Sequence, residues 1–168
     1  MRYPDYAVFS EEIRKSENMA REESGSSFAL MHRAAEALLD ALLREVPDAS
    51  NVLIAAGGGN NGGDGLELAA LLLERGIGAL CILPKDPKPG TEAAEALAHL
   101  RSAGGKTVRE FPAPGQLHGF DLIVDAVLGI GVRSPLREDA ADFIRKINES
   151  GLRVLSVDVP SGLSADSG

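Results

Sequence analysis

The sequence predicts an α/β protein with a Rossmann-like, doubly wound, mainly parallel sheet, helices on both of its faces and two N-terminal helices. Two observations support this fold class. Short apolar runs alternate with helical patterns from residue 52 to residue 159. Strands that are joined through helices pair in parallel with right-handed crossovers, so this alternation predicts a parallel sheet. The first run, residues 52–56, contains no charged side chain, which is typical of a strand covered on both faces.

The elements follow one another in a regular order. A helix is predicted from Ser10 to about Glu23, and a second begins near Ser27, where apolar residues recur at intervals of three and four until Pro47. Strands are predicted at residues 52–56, 77–83, 106–111, 121–128 and 153–159, and later helices at residues 91–103 and 138–148. Residues 85–90 and 112–119 are predicted loops.

The first strand is followed by a turn that is dense in glycine. The glycines are Gly57, Gly58, Gly59, Gly62 and Gly63. Glycine permits positive φ and lets the backbone approach a ligand closely. A helix is predicted to begin at Asp64 and to end at Gly76. Because a helix N-terminus presents unpaired N–H groups and the positive end of the helix dipole, the turn is a candidate anion site, most often for phosphate.

Other interpretations of this turn are weaker. A tight turn that serves only packing needs one or two glycines and has no use for the paired Asn60 and Asn61. The spacing Gly57-x-Gly59-x-x-Gly62 matches the dinucleotide-binding fingerprint, but that match alone is not specific. A P-loop is excluded because no Gly-Lys-Ser/Thr follows.

Composition limits the partners and the compartment. The 168 residues are expected to form one domain, and their formal net charge of −8 argues against a broad surface for nucleic acid or anionic membranes. Cys81 is the one cysteine, so no intrachain disulfide is possible, and its apolar surroundings predict a buried thiol. No apolar stretch approaches the length of a membrane span, and a cytoplasmic location is expected.

Three strand ends carry unusual residues. If the strand order is 3-2-1-4-5, the carboxyl ends of strands 1, 4 and 5 lie side by side at one crevice, where ligands bind in such sheets. The fourth strand leads through Asp125 into a second glycine turn, and the fifth leads through Asp158 to Ser161. Singly, Asp125 could cap a backbone turn and Ser161 could be an ordinary turn residue. Arg133 and Arg137 suit phosphate contact, but each could be a solvated loop charge. The coincidence of these features at one edge predicts a functional site.

The three histidines do not predict a metal site. His32, His99 and His118 share no spacing and have no cysteine or carboxylate companion arranged for zinc. They are interpreted as surface or helix residues, and no transition-metal site is expected. The oxygen ligands at the strand ends suit a hard cation instead.

Three motifs taken together resemble a known family. The motifs are Gly57-x-Gly59-Asn60-Asn61-Gly62-Gly63-Asp64-Gly65, Asp125-Ala126-x-x-Gly129-x-Gly131 and Asp158-x-Pro160-Ser161-Gly162-Leu163. They are similar to the YjeF N-terminal domain, that is, the NAD(P)HX epimerases, whose animal members are also called apolipoprotein A-I-binding proteins. The resemblance extends from about Phe9 to Gly168. It implies a single domain over residues 1–168 that lacks the family's last strands.

The resemblance also implies an activity and a set of site residues. The substrates would be NADHX and NADPHX, whose R and S forms the family interconverts in repairing damaged nicotinamide cofactor. Asp158 would face the hydrated ring and serve as the catalytic residue. One potassium ion per subunit would be held by Asn61, Asp125 and Ser161, with backbone carbonyls near Val127. The residues expected to bind the nucleotide are Asn60, Asn61, Gly62, Gly63, Asp64, Gly129, Ile130, Gly131, Val132, Arg133, Ser134, Pro135 and Asp158.

Two departures from the family pattern leave an alternative open. His32 and Ala35 stand where the family usually has glutamate and glycine, and the chain ends where the family continues. The fifth strand is therefore expected to be an apolar edge that favours a homo-oligomer, such as a dimer. A noncatalytic nucleotide-binding or scaffold module of the same fold is the alternative function. A conventional NAD-dependent dehydrogenase is disfavoured, because Leu83, Pro84 and Lys85 stand where an acidic ribose ligand is needed.

Overall fold

The computed structural model describes residues 27–131 and 135–165. The strands are β1 (Asn51–Ala56), β2 (Gly78–Ile82), β3 (Lys106–Val108), β4 (Leu122–Ala126) and β5 (Arg153–Ser156). The helices are α1 (Ser27–Glu45), α2 (Asn60–Glu74), α3 (Glu92–Ser102), α4 (Pro114–Leu117) and α5 (Glu138–Glu149). The helix predicted from Ser10 to Glu23 lies outside the described residues. No helix in the described ranges is long and apolar enough to cross a membrane.

The strands form one parallel sheet in the order β3-β2-β1-β4-β5. This confirms the predicted fold class and strand order. β1 lies at the centre, where Ile54 pairs with Cys81 of β2 on one side and with Val124 of β4 on the other. The carboxyl ends of β1, β4 and β5 are therefore neighbours along one edge, as the sequence predicted.

Both faces of the sheet are covered, which explains why β1 has no charged side chain. Along β1, Val52 and Ile54 pack into a core cluster shared with α1, α2 and α3, whereas Leu53 and Ala55 pack into a second cluster with Phe143 of α5. Alternate residues thus serve opposite faces, and each face requires an apolar side chain. Cys81 is buried, and burial raises the pKa of its thiol to about 12, so the prediction of a bland thiol is confirmed.

The prediction that the glycine-rich segment is a turn before a helix starting at Asp64 is wrong. α2 begins four residues earlier, at Asn60, with Gly59 as its N-cap. Each glycine of residues 57–63 has a backbone conformation outside the positive-φ region. Gly76 does have φ +77, which confirms its predicted position just beyond the helix C-terminus. Gly62 and Gly63 are needed for close packing instead.

The outer strands and one loop also differ from prediction. β3 stops at Val108 rather than at residue 111, and β5 stops at Ser156 rather than at residue 159. Each is an edge strand with one neighbour, and the pairing ends at Ile82 with Val108 and at Asp125 with Ser156. Within the predicted loop at residues 112–119, α4 forms a single helical turn, where the side chain of Gln116 accepts a hydrogen bond from the Ala113 N–H at 2.9 Å.

The prediction that the histidines have no carboxylate companion arranged for a metal is wrong for His32 and His99. Nδ1 of His32 and Nδ1 of His99 lie 2.6 Å and 2.9 Å from the same oxygen, Oε1 of Glu67. The hydrogen bond with Glu67 raises the pKa of His99 above its ordinary value. His32 lies 35 positions before Glu67, and His99 lies 32 positions after it. The three residues come together because α1 and α3 both pack against α2.

Candidate active site

A cleft of about 1030 Å³ opens at the carboxyl edge of the sheet. α1 and α5 contribute apolar walls, including Leu38 and Phe143. The side of the cleft formed by the strand ends is lined by Gly57, Gly58, Gly59, Asn60, Asn61, Asp64, Val127, Leu128, Gly129, Ile130, Gly131, Val157 and Asp158. The location is the one expected for a ligand site in a doubly wound sheet.

Several glycines of the segment are required by packing beneath the cleft. A Cβ on Gly62 would overlap the carbonyl oxygen of Gly57 and lie 2.8 Å from the Gly57 nitrogen. A Cβ on Gly63 would lie 2.5 Å from the Met31 side chain, and one on Gly65 would lie 2.5 Å from Cβ of Ala126. These distances are shorter than any ordinary contact. Glycine therefore allows the first turns of α2 to lie directly against β1, β4 and α1.

Other glycines of the segment are open to the cleft. A Cβ on Gly59 would meet nothing within 4 Å, and one on Gly58 would make only ordinary contacts. Gly59 is also the N-cap of α2, so the N–H groups of the first turn face this space without carbonyl partners within the helix. A bound anion could approach that turn closely.

Asp125 and Ser161 form a buried hydrogen-bonded unit at the ends of β4 and β5. The Asp125 side chain is 4% exposed. Its Oδ2 accepts a hydrogen bond from the Ser161 N–H at 2.8 Å, and its Oδ1 lies 2.6 Å from the Ser161 hydroxyl and 3.2 Å from the Val127 nitrogen. Ser161 Oγ in turn accepts from the Leu128 N–H at 2.9 Å and lies 3.1 Å from the Leu128 carbonyl oxygen. These contacts fix the loops after the two strands against each other.

Asp158 occupies a different environment only three residues before Ser161. It is exposed and lines the cleft. Its Oδ2 accepts a hydrogen bond from the Ile130 N–H at 2.8 Å, and a Cβ on Gly129 would lie 2.6 Å from that same oxygen. Glycine at position 129 thus makes room for the carboxylate. Asp158 is held at one oxygen by the backbone of the second glycine turn.

The chemistry around Asp125 fits a monovalent cation such as potassium. The hydrogen bonds that this buried carboxylate accepts from the described residues come from neutral N–H and O–H groups, so its charge has no counter-ion among these partners. The Ser161 hydroxyl and the Leu128 carbonyl add oxygens at the same place. Asn61 ends in a buried amide whose Nδ2 has no hydrogen-bond partner among the described residues, and its Oδ1 lies near Gly129. A buried anion and an unsatisfied amide are groups that a bound cation and its coordinating oxygens could accommodate.

The predicted site residues lie in three kinds of position. The cleft is lined by Asn60, Asn61, Asp64, Gly129, Ile130, Gly131 and Asp158, whereas Gly62, Gly63, Asp125 and Ser161 lie buried behind it. Pro135 is exposed and is not among the lining residues. Val132, Arg133 and Ser134 lie outside the described residues.

Sequence reasoning missed two basic residues of the cleft. Lys85 and Lys88, from the loop after β2, line it together with Arg137 before α5, which the sequence had indicated as a candidate for phosphate contact. The loop after β2 was treated as plain surface, yet β2 neighbours β1, so its carboxyl end opens at the same edge. Asp86 of this loop forms an ion pair with Arg109 at 2.7 Å, and that hydrogen bond lowers the pKa of Asp86. Lys85, Lys88 and Arg137 supply positive charge for an anionic ligand, although the protein as a whole is acidic.

Comparison with known proteins assigns the family. Residues 27–168 match the family described as YjeF-related protein N-terminus. A protein of Limosilactobacillus fermentum named NAD(P)H-hydrate epimerase is 34% identical over 165 residues, which cover 98% of this chain and 78% of the relative. A protein of the same name from Bordetella pertussis (strain CS) is 37% identical, and the alignment covers 94% of this chain and 67% of the relative.

Longer relatives and a solved structure agree with this match. A Coxiella burnetii protein named bifunctional NAD(P)H-hydrate repair enzyme Nnr is 39% identical over 94% of this chain, which spans only 32% of that protein. A crystal structure of the yeast protein ynu0 shares the fold with a TM-score of 0.84 at 24% identity, covering 97% of this chain and 74% of the yeast chain. The chain therefore belongs to the YjeF-related N-terminal family.

Proposed function

We propose that this chain is an NAD(P)H-hydrate epimerase, an isomerase that interconverts the R and S hydrates of NADH and NADPH. The observation that carries the proposal is the Asp158 carboxylate, which is fixed by the Ile130 N–H on the open side of a cleft lined by a helix N-terminus. A module that only binds nucleotide does not need an oriented acid at this place. The names of the relatives support the same activity.

The substrate's phosphates and its hydrated ring would occupy different parts of the cleft. The first turn of α2, with Gly59 open to the cleft, suits the anionic part, and Lys85 and Lys88 supply positive charge. The hydrated ring would then lie beside Asp158. The remaining predicted nucleotide residues, Asn60 to Asp64 and Gly129 to Pro135, belong to the same proposal.

Epimerisation requires that the hydroxyl at ring carbon six be lost and regained on the other face. Protonated Asp158 would give its proton to that hydroxyl. The carbon–oxygen bond would break with its electron pair going to water, while the ring nitrogen's lone pair forms an iminium. Water would add from the opposite face and return a proton to Asp158. A ring-opened intermediate would use the same acid. Such proton transfer contributes roughly 10²–10⁴ in rate, and the carboxylate also stabilises the cationic ring.

We also propose that the site binds one potassium ion per subunit, with Asn61, Asp125 and Ser161 as side-chain ligands. The ion would supply positive charge behind the anionic substrate when bound. Asp125 and Ser161 are in direct contact, and their loops also bring backbone carbonyls to this place. The ligand set therefore requires only that the Asn61 amide present its oxygen to the same point.

The direct test is epimerisation by the purified chain. Separately prepared R and S hydrates of NADH and of NADPH are incubated with the chain and followed chromatographically, in potassium and in a potassium-free buffer. We expect the two epimers to equilibrate faster than in the protein-free control, and fastest with potassium. Nucleotide binding without any acceleration would establish the noncatalytic module instead.

Association of the chain in solution is a separate proposal. β5 is an edge strand, and its Val154 side chain is 46% exposed. An exposed apolar edge favours pairing with another chain, and we propose a homo-oligomer, such as a dimer. Sedimentation over a wide range of concentrations tests it, and a monomer throughout would contradict it.

A further inference from the structure

A second cluster of ligand-type side chains lies in the helical layer on one face of the sheet. It consists of His32 from α1, Glu67 from α2 and His99 from α3, and the ligand atoms of the three residues all lie within 4.8 Å of one another. Glu67 is 0% exposed, whereas the side chains of His32 and His99 are 38% and 29% exposed. The cluster is thus open to solvent on the histidine side and closed on the carboxylate side.

The hydrogen-bonding pattern of His99 is incomplete for a neutral imidazole. Its Nδ1 lies 2.9 Å and 3.0 Å from the two Glu67 oxygens, and its Nε2 lies 3.1 Å from Oε1 of Glu74. A neutral imidazole carries one N–H, so one ring nitrogen would direct its lone pair at a carboxylate. A second proton on the ring or a metal cation beside Nδ1 removes this conflict, and with the metal the Nε2–H donates to Glu74. A histidine held by a metal on one nitrogen and a carboxylate on the other is a common arrangement.

His32 approaches the same oxygen of Glu67 from α1. Its Nδ1 lies 2.6 Å from Glu67 Oε1, and its Nε2 lies 3.9 Å from Oε1 of Glu36, one helical turn further along α1. Each imidazole therefore has its Nδ1 at the buried carboxylate and an acidic residue on its outer side. Two imidazole nitrogens and one carboxylate converge on a single point.

We propose that His32, Glu67 and His99 bind one divalent transition-metal ion of the Zn²⁺ type, which joins three helices. Two histidines and one carboxylate form a known ligand set for such ions. With bond lengths of about 2.0–2.1 Å, tetrahedral ligand atoms lie roughly 3.3 Å apart. The present hydrogen-bonded separations of 2.6–3.0 Å must open by about 0.3–0.7 Å to reach that spacing, which the part-exposed histidines permit. Water from the open side completes the coordination.

This metal site is separate from the proposed potassium site. The two sites share only α2, which carries Glu67 and Asn61; His32 and His99 lie on α1 and α3, whereas Asp125 lies in β4 and Ser161 in the loop after β5. The ligands of the metal site include imidazole nitrogens, which transition metals favour over alkali cations. Its role follows from its position: the ion would neutralise the fully buried charge of Glu67 and hold α1 and α3 against α2.

The test is titration of the full chain, without a histidine tag and freed of metal by a chelator, with Zn²⁺ followed by calorimetry. We expect one high-affinity site and a melting temperature that rises with Zn²⁺, because a ligand that binds only the folded state stabilises it. His32→Ala and His99→Ala should each weaken binding by more than a hundredfold. Glu74→Gln should weaken it by roughly 10–100-fold, the usual cost of losing an outer partner.

Two controls separate this site from adventitious binding. His118→Ala removes the third histidine, which lies outside the cluster, and should leave the affinity for Zn²⁺ unchanged. Co²⁺ bound in place of Zn²⁺ should give visible absorption bands that His99→Ala abolishes. Absence of a stoichiometric Zn²⁺ site in the wild type would overturn the proposal and leave the cluster as a proton-bridged hydrogen-bond network. Equal affinity in wild type and in a His32→Ala, His99→Ala double variant would overturn it as well.

Discussion

The two aspartates at the ends of β4 and β5 follow the same sequence pattern and have opposite environments. Asp125 is buried and contacts Ser161 and Val127 through both of its oxygens. Asp158 is exposed to the cleft and accepts a hydrogen bond from the Ile130 N–H. Asp125 lies in the buried layer behind the cleft lining, which we call the floor, and Asp158 lies on the open side of the cleft.

The difference shows how one pattern can serve two purposes. A buried carboxylate surrounded by donors is fixed in place and suits architecture or cation binding. A carboxylate held at one oxygen keeps its other oxygen for a substrate. The glycines of residues 57–65 divide in the same way, with Gly62 required by packing and Gly59 open to the cleft.

The largest expected effect is that of Asp158→Asn on the reaction. Asparagine keeps the size of the side chain but removes the exchangeable acid. We expect kcat/KM for epimerisation to fall by roughly 10²–10⁴, with nucleotide affinity and melting temperature nearly unchanged. The chromatographic assay, isothermal calorimetry with NADH and a thermal melt measure these three quantities. A large loss of stability would show that Asp158 belongs to the floor after all.

The second effect is on folding and concerns Gly62→Ala. The added Cβ would collide with the backbone of Gly57, which cannot move aside as a flexible side chain could. We expect the free energy of unfolding to fall by about 1–3 kcal/mol or more. Gly59→Ala is the matched change on the open side, where the fold should lose less than about 1 kcal/mol.

The Gly59→Ala variant should instead weaken nucleotide binding, because its methyl group enters the space proposed for phosphate. Urea unfolding and calorimetry with NADH separate the two effects. The division between floor and open side fails if Gly59→Ala binds nucleotide as well as wild type does, or if Gly62→Ala is as stable as wild type.

The third effect concerns Asp125→Asn, which keeps the shape of the floor but replaces one acceptor oxygen with an NH₂ group. At least one buried donor on Ser161 or Val127 then loses its acceptor, at a cost of about 1–3 kcal/mol in stability. The variant should also lose any rise in melting temperature with potassium. If the melting temperature of Asp125→Asn still rises with potassium, the cation does not bind at Asp125.

The smallest expected effect concerns the pH dependence of stability and a third aspartate, which lies at the opposite end of β4. Asp121 accepts hydrogen bonds from the backbone N–H groups of Ser50 and Asn51 at 2.7 Å and 2.9 Å. The bond from Ser50 and then that from Asn51 lower the pKa of Asp121 below its ordinary value of 3.8. The ionised Asp121 side chain therefore contributes its full stabilisation at pH values above 3.8. This stabilisation is lost as the pH falls from 3.8 through the lowered pKa of the folded state.

Comparing wild type with Asp121→Asn measures this contribution. The stability difference between them should be constant near neutral pH and should shrink at pH below 3.8. Denaturant titrations at a series of pH values provide the measurement. A difference that stays constant down to the lowest pH would mean that the carboxylate is not held as described.

Much of the fold was predictable because local patterns determine it. The uncharged run of β1 and the alternation of strands and helices gave the sheet, and the edge that carries Asp125 and Asp158 followed from the strand order. The start of α2 was not predictable from local preference, since asparagine and glycine are poor helix residues. Tertiary packing overrides that preference, because the glycines let the helix lie against β1 and β4.

The histidine cluster was hidden for a related reason. His32, Glu67 and His99 belong to three different helices, and no spacing along the chain signals their contact. Only the packing of α1 and α3 on α2 brings them together. The basic residue Lys85 was overlooked because its loop lacks any motif, although the predicted neighbour relation of β2 and β1 placed that loop at the cleft.

The most direct measurement of the division between floor and open side compares Asp158→Asn and Asp125→Asn in one experiment. The rate of R-to-S epimerisation and the free energy of unfolding are determined for both variants and for wild type, in the same potassium buffer. We predict that Asp158→Asn loses roughly 10²-fold or more in rate at unchanged stability, whereas Asp125→Asn loses about 1–3 kcal/mol of stability. Near wild-type epimerisation by a stable Asp158→Asn variant would contradict the assignment of the chemistry to the open side.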